Sequence, residues 1–195
     1  MPAIAYGGPD VPPDLPSPDS VKLAESLILD EFVADLHPTS PLLPKDPVVR
    51  AKARFFIDAI SNKFSPGWAA FLIRGEKAEQ LFEGLEAIQH LLPRNYTYAV
   101  SDDFTIADAA IAPFLARLEV ALKNDIGAYK EGEGKKAWEV YHSNNFARLR
   151  KYFEIIKARP SFQATFDEVS IRYTAELAVQ TYMCFQLGIC YWRVH

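Results

Sequence analysis

Two cysteines and four histidines are all that this chain of 195 residues holds of thiol and imidazole side chains. Cys184 and Cys190 fall close together near the end, spaced neither as Cys-x-x-Cys nor as a zinc pattern. That argues against a disulfide framework and for two apolar thiols in a reducing compartment, so a cytoplasmic protein is expected. His37, His90, His142 and His195 are dispersed without ligand spacing, and no metal site is read. There is no run of basic residues, and the formal net charge is −4, which removes the electrostatic case for nucleic acid. No uncharged stretch is long enough to span a bilayer. No basic start followed by an apolar run marks a leader. The segment Gly132-Glu133-Gly134-Lys135-Lys136 lacks the third glycine of a dinucleotide loop and the spacing of a phosphate loop.

Apolar residues, by contrast, make up 49% of the chain, enough for a substantial core. The densest stretch starts at Thr105, which stands three residues before Asp108 as in a capping box. Behind it run Ile106, Ala107, Ala109, Ala110, Ile111, Ala112, Phe114 and Leu115, with Asp108 the only charge. A helix apolar on all sides at its start is a buried one. Pro113 cannot give an N–H to the Ala109 carbonyl, and polarity returns only at Arg117, Glu119 and Lys123.

Taken in order, Ala3-Ile4-Ala5-Tyr6 reads as a short strand ended by Gly7-Gly8, followed by a Pro- and Asp-rich loop. Val21-Lys22-Leu23 alternates like a second strand; a helix starting at Pro18 with Ser17 as its cap is the rival reading. Leu27, Ile28, Phe32, Val33 and Leu36 recur at helical spacing, and His37-Pro38 stops that helix. Asp46 serves as N-cap with Pro47 at the first helical position. Phe56, Ile60, Phe64 and Trp68 then follow at steps of four, with Ser65-Pro66-Gly67 bending or interrupting the helix. Further helices are predicted over 76–92 and 138–158, with a short one from Pro160 through Phe166.

The run Phe104-Thr105-Ile106-Ala107-Asp108-Ala109 resembles the capping-box segment of the central helix in the C-terminal domain of glutathione transferases. The Glu25-Ser26 pair and the linker Leu43-Pro44-Lys45-Asp46-Pro47 are similar too, above all to the fungal omega-like class, over roughly residues 2–168. The resemblance implies a mainly α fold: residues 1–40 as the last β-hairpin and helix of a thioredoxin-like domain, then an all-α bundle over 46–168. After Glu168 the chain departs from the family, and 169–195 reads as an atypical tail, either read-through intron sequence or a diverged C-terminal helix.

By that resemblance the Glu25 carboxylate receives the ammonium, and Ser26 the carboxylate, at the γ-glutamyl end of glutathione. A plain capped helix with a surface Glu is the alternative. Pro2, preceded by Met1, resembles the proline that opens the third strand of the thioredoxin-like domain and lets backbone pair with the cysteinyl part. Phe64, Trp68 and Phe71 lie on the helix that flanks the family's cleft for an apolar co-substrate, although aromatic stripes at helical spacing are more often core; Tyr98 is a lesser candidate. Glutathione is a co-substrate here, so no cofactor is implied. The expected partners are glutathione, a small hydrophobic or thiol substrate, and a second copy in a homodimer, with neither nucleic acid nor membrane. The family's catalytic Cys, Ser or Tyr would precede Met1, so conjugation or thiol transfer is expected to be impaired. A non-catalytic helical module binding apolar ligands or a partner protein is the alternative.

Overall fold

The computed structural model describes residues 3–9, 11, 12, 15 and 17–187. Strands β1 (Ala3–Tyr6) and β2 (Val21–Ala24) pair antiparallel, Ala3 opposite Ala24 and Tyr6 opposite Val21. A turn in which the Ser20 N–H donates to the Ser17 carbonyl at 3.2 Å precedes β2, which settles the strand against the helix reading of this segment. Helix α1 (Ser26–Leu36) follows β2 after one residue and lays Phe32 edge-on to Tyr6, ring centroids 5.0 Å apart.

The bundle starts at α2 (Pro47–Ala59), where one Asp46 carboxylate oxygen accepts from the N–H groups of Val48 and Val49 at 2.7 and 3.0 Å. The aromatic stripe then passes through a π-helical turn, Ile60–Phe64, into α3 (Ser65–Leu72). Ser65 donates to the Ile60 carbonyl five residues back. This wider turn sits just before Pro66, which has no N–H to continue the regular ladder. Helix α4 (Glu79–Leu91) crosses this region at close quarters. A Cβ on Gly67 would meet the Gln80 carbonyl oxygen at 2.3 Å, and one on Gly84 would meet the Phe64 Cα at 2.8 Å, so both crossing points need glycine. The predicted start of α4 at residue 76 is corrected to Glu79. Gly75 adopts φ +68° and the Glu76 N–H closes back on the Ala70 carbonyl, so residues 76–78 are spent ending α3.

Helix α5 (Ile106–Asn124) is the centre of the bundle, with Ile111, Leu115, Leu118 and Leu122 wholly buried against its neighbours. The single helix predicted over 138–158 is two. Helix α6 (Glu133–Tyr141) ends, a short 3-10 turn spans Asn144–Phe146, and α7 (Ala147–Lys157) resumes. Ser143 caps the turn through the Asn145 N–H at 3.3 Å and its carbonyl accepts from the Phe146 N–H, while Arg150 donates to the Tyr141 and Ser143 carbonyls at the break. Helices α8 (Pro160–Thr165) and α9 (Glu168–Leu187) complete the described chain, and α9 packs on α5. The segment read as an atypical tail is thus helical as far as Leu187. Among the described residues no helix is long and apolar enough to cross a membrane.

Candidate functional site

The start of α1 is chemically open. Its N-cap, Glu25, makes no side-chain cap bond, and no acidic residue occupies the first turn. The first ladder bond runs from the Leu29 N–H to the Glu25 carbonyl at 2.9 Å, which leaves the N–H groups before Leu29 without an intrahelical partner. Glu25 and Ser26 are both exposed, side by side at that end.

Glu25 also has φ 76° and ψ 113°. That is positive φ for a residue with a side chain, outside even the left-handed helical well, and costs on the order of 1–3 kcal/mol. The cause is topological: Ala24 is still paired with Ala3 in the hairpin and Ser26 is already helical, so one residue makes the whole turn. The elbow thus combines unpaired N–H donors and positive helix-dipole potential with a hydroxyl and a carboxylate. Such a set suits a ligand group bearing a carboxylate and an ammonium together. Met1 and Pro2, the other two residues read for this site, lie outside the described residues.

The capping box at α5 is present as read, and is sealed from solvent. Thr105 and Asp108 are both 0% exposed. One Asp108 oxygen accepts from the Thr105 N–H at 2.8 Å and the Thr105 hydroxyl at 3.0 Å. The other accepts from the Ala99 N–H at 2.8 Å and the Tyr152 hydroxyl at 2.7 Å. Burial pushes this carboxyl above its ordinary value, while the bonds from Thr105, Tyr152 and Ala99 pull the other way. With every lone-pair direction engaged and no solvent access, Asp108 organises structure and offers nothing to a ligand.

The three aromatic residues assigned to an apolar cleft are not brought together. Phe64 is 0% exposed and meets Phe114 edge-on, and Phe71 is 2% exposed and stacks on Tyr129 at 4.4 Å. Both belong to the core. Trp68 alone, half-buried, faces an apolar cavity of ≈ 340 Å³ between α3, α5 and α9, lined also by Leu72, Arg117, Ala121, Ile171 and Ala175. Arg117, which sequence reasoning passed over, lines this cavity and a neighbouring one of ≈ 390 Å³ with Phe104, Pro113 and Phe162. Its guanidinium lies over the Phe114 ring, 5.4 Å from the centroid, and burial pulls its pKa down. The only sequence signal for it was a single cation following an apolar run. Tyr98 faces another way, its hydroxyl accepting from Arg159 at 3.0 Å. Among the described residues no three His, Cys, Asp or Glu side chains gather as a metal site, and Cys190 lies outside those residues.

Comparison with known proteins bears on both ends of the molecule. The family model described as glutathione S-transferase, C-terminal domain, matches residues 58–164. A crystal structure of glutathione transferase Omega 1C from Trametes versicolor superposes with TM-score 0.87 at 53% identity, covering 93% of this chain and 76% of that one. Omega 2S from the same fungus, in complex with 2,4-dihydroxybenzophenone, gives TM-score 0.85 at 41% identity over 93% and 79% of the two chains. A probable maleylacetoacetate isomerase of Caenorhabditis elegans is 36% identical over 109 residues, 50% of this chain and 51% of the other. The chain spans about half the length of the curated relatives it matches.

Proposed function

The chain belongs to the glutathione S-transferase family, and on that premise we propose that it holds glutathione at the elbow between β2 and α1, in service of conjugation or thiol transfer of the omega kind. The observation that carries this reading is the φ of 76° at Glu25, a strained residue kept at the uncapped start of a helix. The topology imposes this strain, and outliers of this sort cluster at ligand sites. The Glu25 carboxylate faces the α-ammonium of the γ-glutamyl end. The Ser26 hydroxyl and the free N–H groups beside it take the α-carboxylate, which the dipole of α1 favours. These groups bind and orient. None at the elbow is a thiol or phenol, so the chain by itself is expected to hold glutathione with little turnover. Cytoplasmic residence, a small hydrophobic or thiol co-substrate and a homodimer belong to the same proposal.

Calorimetric titration of glutathione into the wild-type chain and a Ser26→Ala variant tests it. Loss of one hydrogen bond to a charged group is worth about 1.5–3 kcal/mol, so affinity should fall at least tenfold while stability stays level. Equal affinity of the two proteins, or no binding by a folded wild type, would sink the assignment.

A second reading, a helical module that takes an apolar ligand without catalysis, is favoured by the cavity of ≈ 340 Å³ facing Trp68. The omega relative crystallised with 2,4-dihydroxybenzophenone makes an aromatic ligand a fair comparison. Binding of that compound, quenching Trp fluorescence, in a protein with no affinity for glutathione would select this reading over the first.

A further inference from the structure

A recess of ≈ 370 Å³ lies between the 93–98 segment and α7, far in sequence from the elbow. Its lining includes Arg94, Arg148 and Lys151 together with Tyr96, Tyr98 and Tyr152, and no Asp or Glu. None of the three cations forms an ion pair among the described residues. The neighbouring acids are already engaged: Glu154, three residues after Lys151, pairs with Lys157 at 2.7 Å. Asp102 accepts from the Thr97 N–H and hydroxyl at 3.0 and 3.1 Å, and Asp108 is sealed behind Tyr152 by its four donors. Three unneutralised cations around one recess repel one another, and an anion relieves that repulsion. This is so in a chain whose net charge is −4.

The walls define the rest of the ligand. Tyr152 spends its hydroxyl proton on Asp108 and so offers ring surface, whereas Tyr98 accepts from Arg159 and keeps its own O–H beside its ring. Arg148 spends one N–H on the Leu92 carbonyl, which ties the guanidinium to the chain and leaves its other donors. Arginine forks match tetrahedral oxyanions, and aromatic walls match a planar group. A volume near 370 Å³ stands at the small end of ligand pockets. We infer that this recess binds a small aryl oxyanion, a single ring bearing a phosphate or sulfate group, with the oxyanion on Arg94, Arg148 and Lys151 and the ring among the tyrosines. The assignment is independent of glutathione binding at the elbow.

The test is calorimetry on the full chain with phenyl phosphate, phenyl sulfate, inorganic phosphate and phenol. Phenyl phosphate or phenyl sulfate should bind at least tenfold tighter than either inorganic phosphate or phenol, and more weakly as salt is added. Whichever aryl ester binds better names the preferred headgroup. Arg94→Gln with Lys151→Gln, both at exposed positions, should weaken that binding at least tenfold with an unchanged melting temperature, whereas Ser26→Ala should leave it as in wild type. The inference is overturned if inorganic phosphate binds as well as the aryl esters, if the double variant binds them normally, or if Ser26→Ala removes the binding and places the oxyanion at α1 instead.

Discussion

Two helix N-termini in this molecule are finished in opposite ways. At α5 the carboxylate of Asp108 accepts four hydrogen bonds, from the Thr105 N–H and hydroxyl, the Ala99 N–H and the Tyr152 hydroxyl, and nothing there meets solvent. At α1 no side chain caps the helix, and the residue before it is both exposed and strained. Their settings differ in the same sense. The core gathers Phe56, Phe64, Phe146 and Phe153 from the bundle around α5, whereas β1 and β2 bury no apolar side chain and α1 buries only Leu29 and Ala34. One helix end is sealed by its own side chains and the other is left open where packing is thin, and the proposed glutathione site rests on that contrast.

The contrast is broken most forcefully from the sealed end. Asp108→Ala strands the Ala99 and Thr105 N–H groups and two hydroxyls in a space water does not reach. Leaving buried donors unpaired costs about 1–3 kcal/mol for each group that cannot relax, so a loss of about 3–5 kcal/mol is expected in urea unfolding. Amide exchange in the same variant should quicken throughout the bundle, while β1 and β2, which bury no apolar side chain and are expected to be the least protected, should change little. A loss below 1 kcal/mol would mean that the box is decoration on a helix held by packing alone.

At the open end the expected sign reverses. Glu25→Gly removes the cost of φ 76° at a residue with a Cβ, against the entropy that glycine adds to the unfolded chain. The net should be a gain of about 1 kcal/mol, with glutathione binding weakened because the ammonium loses its partner. A destabilised Glu25→Gly protein would show that the Glu25 side chain holds the elbow together, and the argument from strain would fail. No such trade is available at Thr105, where the same residues that bind each other also stabilise the fold.

The two ends were also unequally legible in the sequence. A capping box needs only Thr105 and Asp108 three positions apart, so it could be read directly, as could Asp46 with Pro47. The Tyr152 and Ala99 bonds to Asp108 come from 44 and 9 positions away and leave no local sign. The start of α1 at Ser26 followed from apolar spacing, but the strain at Glu25 did not. It arises because a strand pairing and a helix must meet across one residue, and residue preferences carry no record of that demand. The helix predicted across 138–158 failed for a related reason. The segment from His142 to Phe146 has no Pro or Gly, and the break is held by the Ser143 cap and by Arg150 reaching back to two carbonyls. The aromatic stripe on α2 and α3 was legible as a face, whereas which members open on a cavity depends on the neighbouring elements: Trp68 faces the apolar one between α3, α5 and α9, and Phe71 borders another beside Tyr129. Likewise, Arg94, Arg148 and Lys151 come together only when the 93–98 segment folds against α7.

The smallest effect concerns how α1 is tied to the bundle. Arg54 on α2 forks onto Glu31 of α1, Nε to one oxygen at 2.8 Å and the terminal nitrogen to the other at 2.9 Å. The hydrogen bond from Arg54 holds the Glu31 carboxyl below its ordinary value, with burial opposing it. A carboxyl whose folded pKa is depressed adds stability above its unfolded pKa and loses it as pH falls through the folded one. Wild type should therefore exceed Arg54→Gln by a few tenths of a kcal/mol at neutral pH, since the pair is exposed, and the two curves should converge on acidification and in high salt. If the gap persists at low pH, the Arg54 stem is acting by packing rather than by charge. If there is no gap at any pH, α1 is held by its apolar packing, Leu27, Leu29 and Ala34, and by its contact with the hairpin. The open helix end would then rest on less of the bundle than the fork implies.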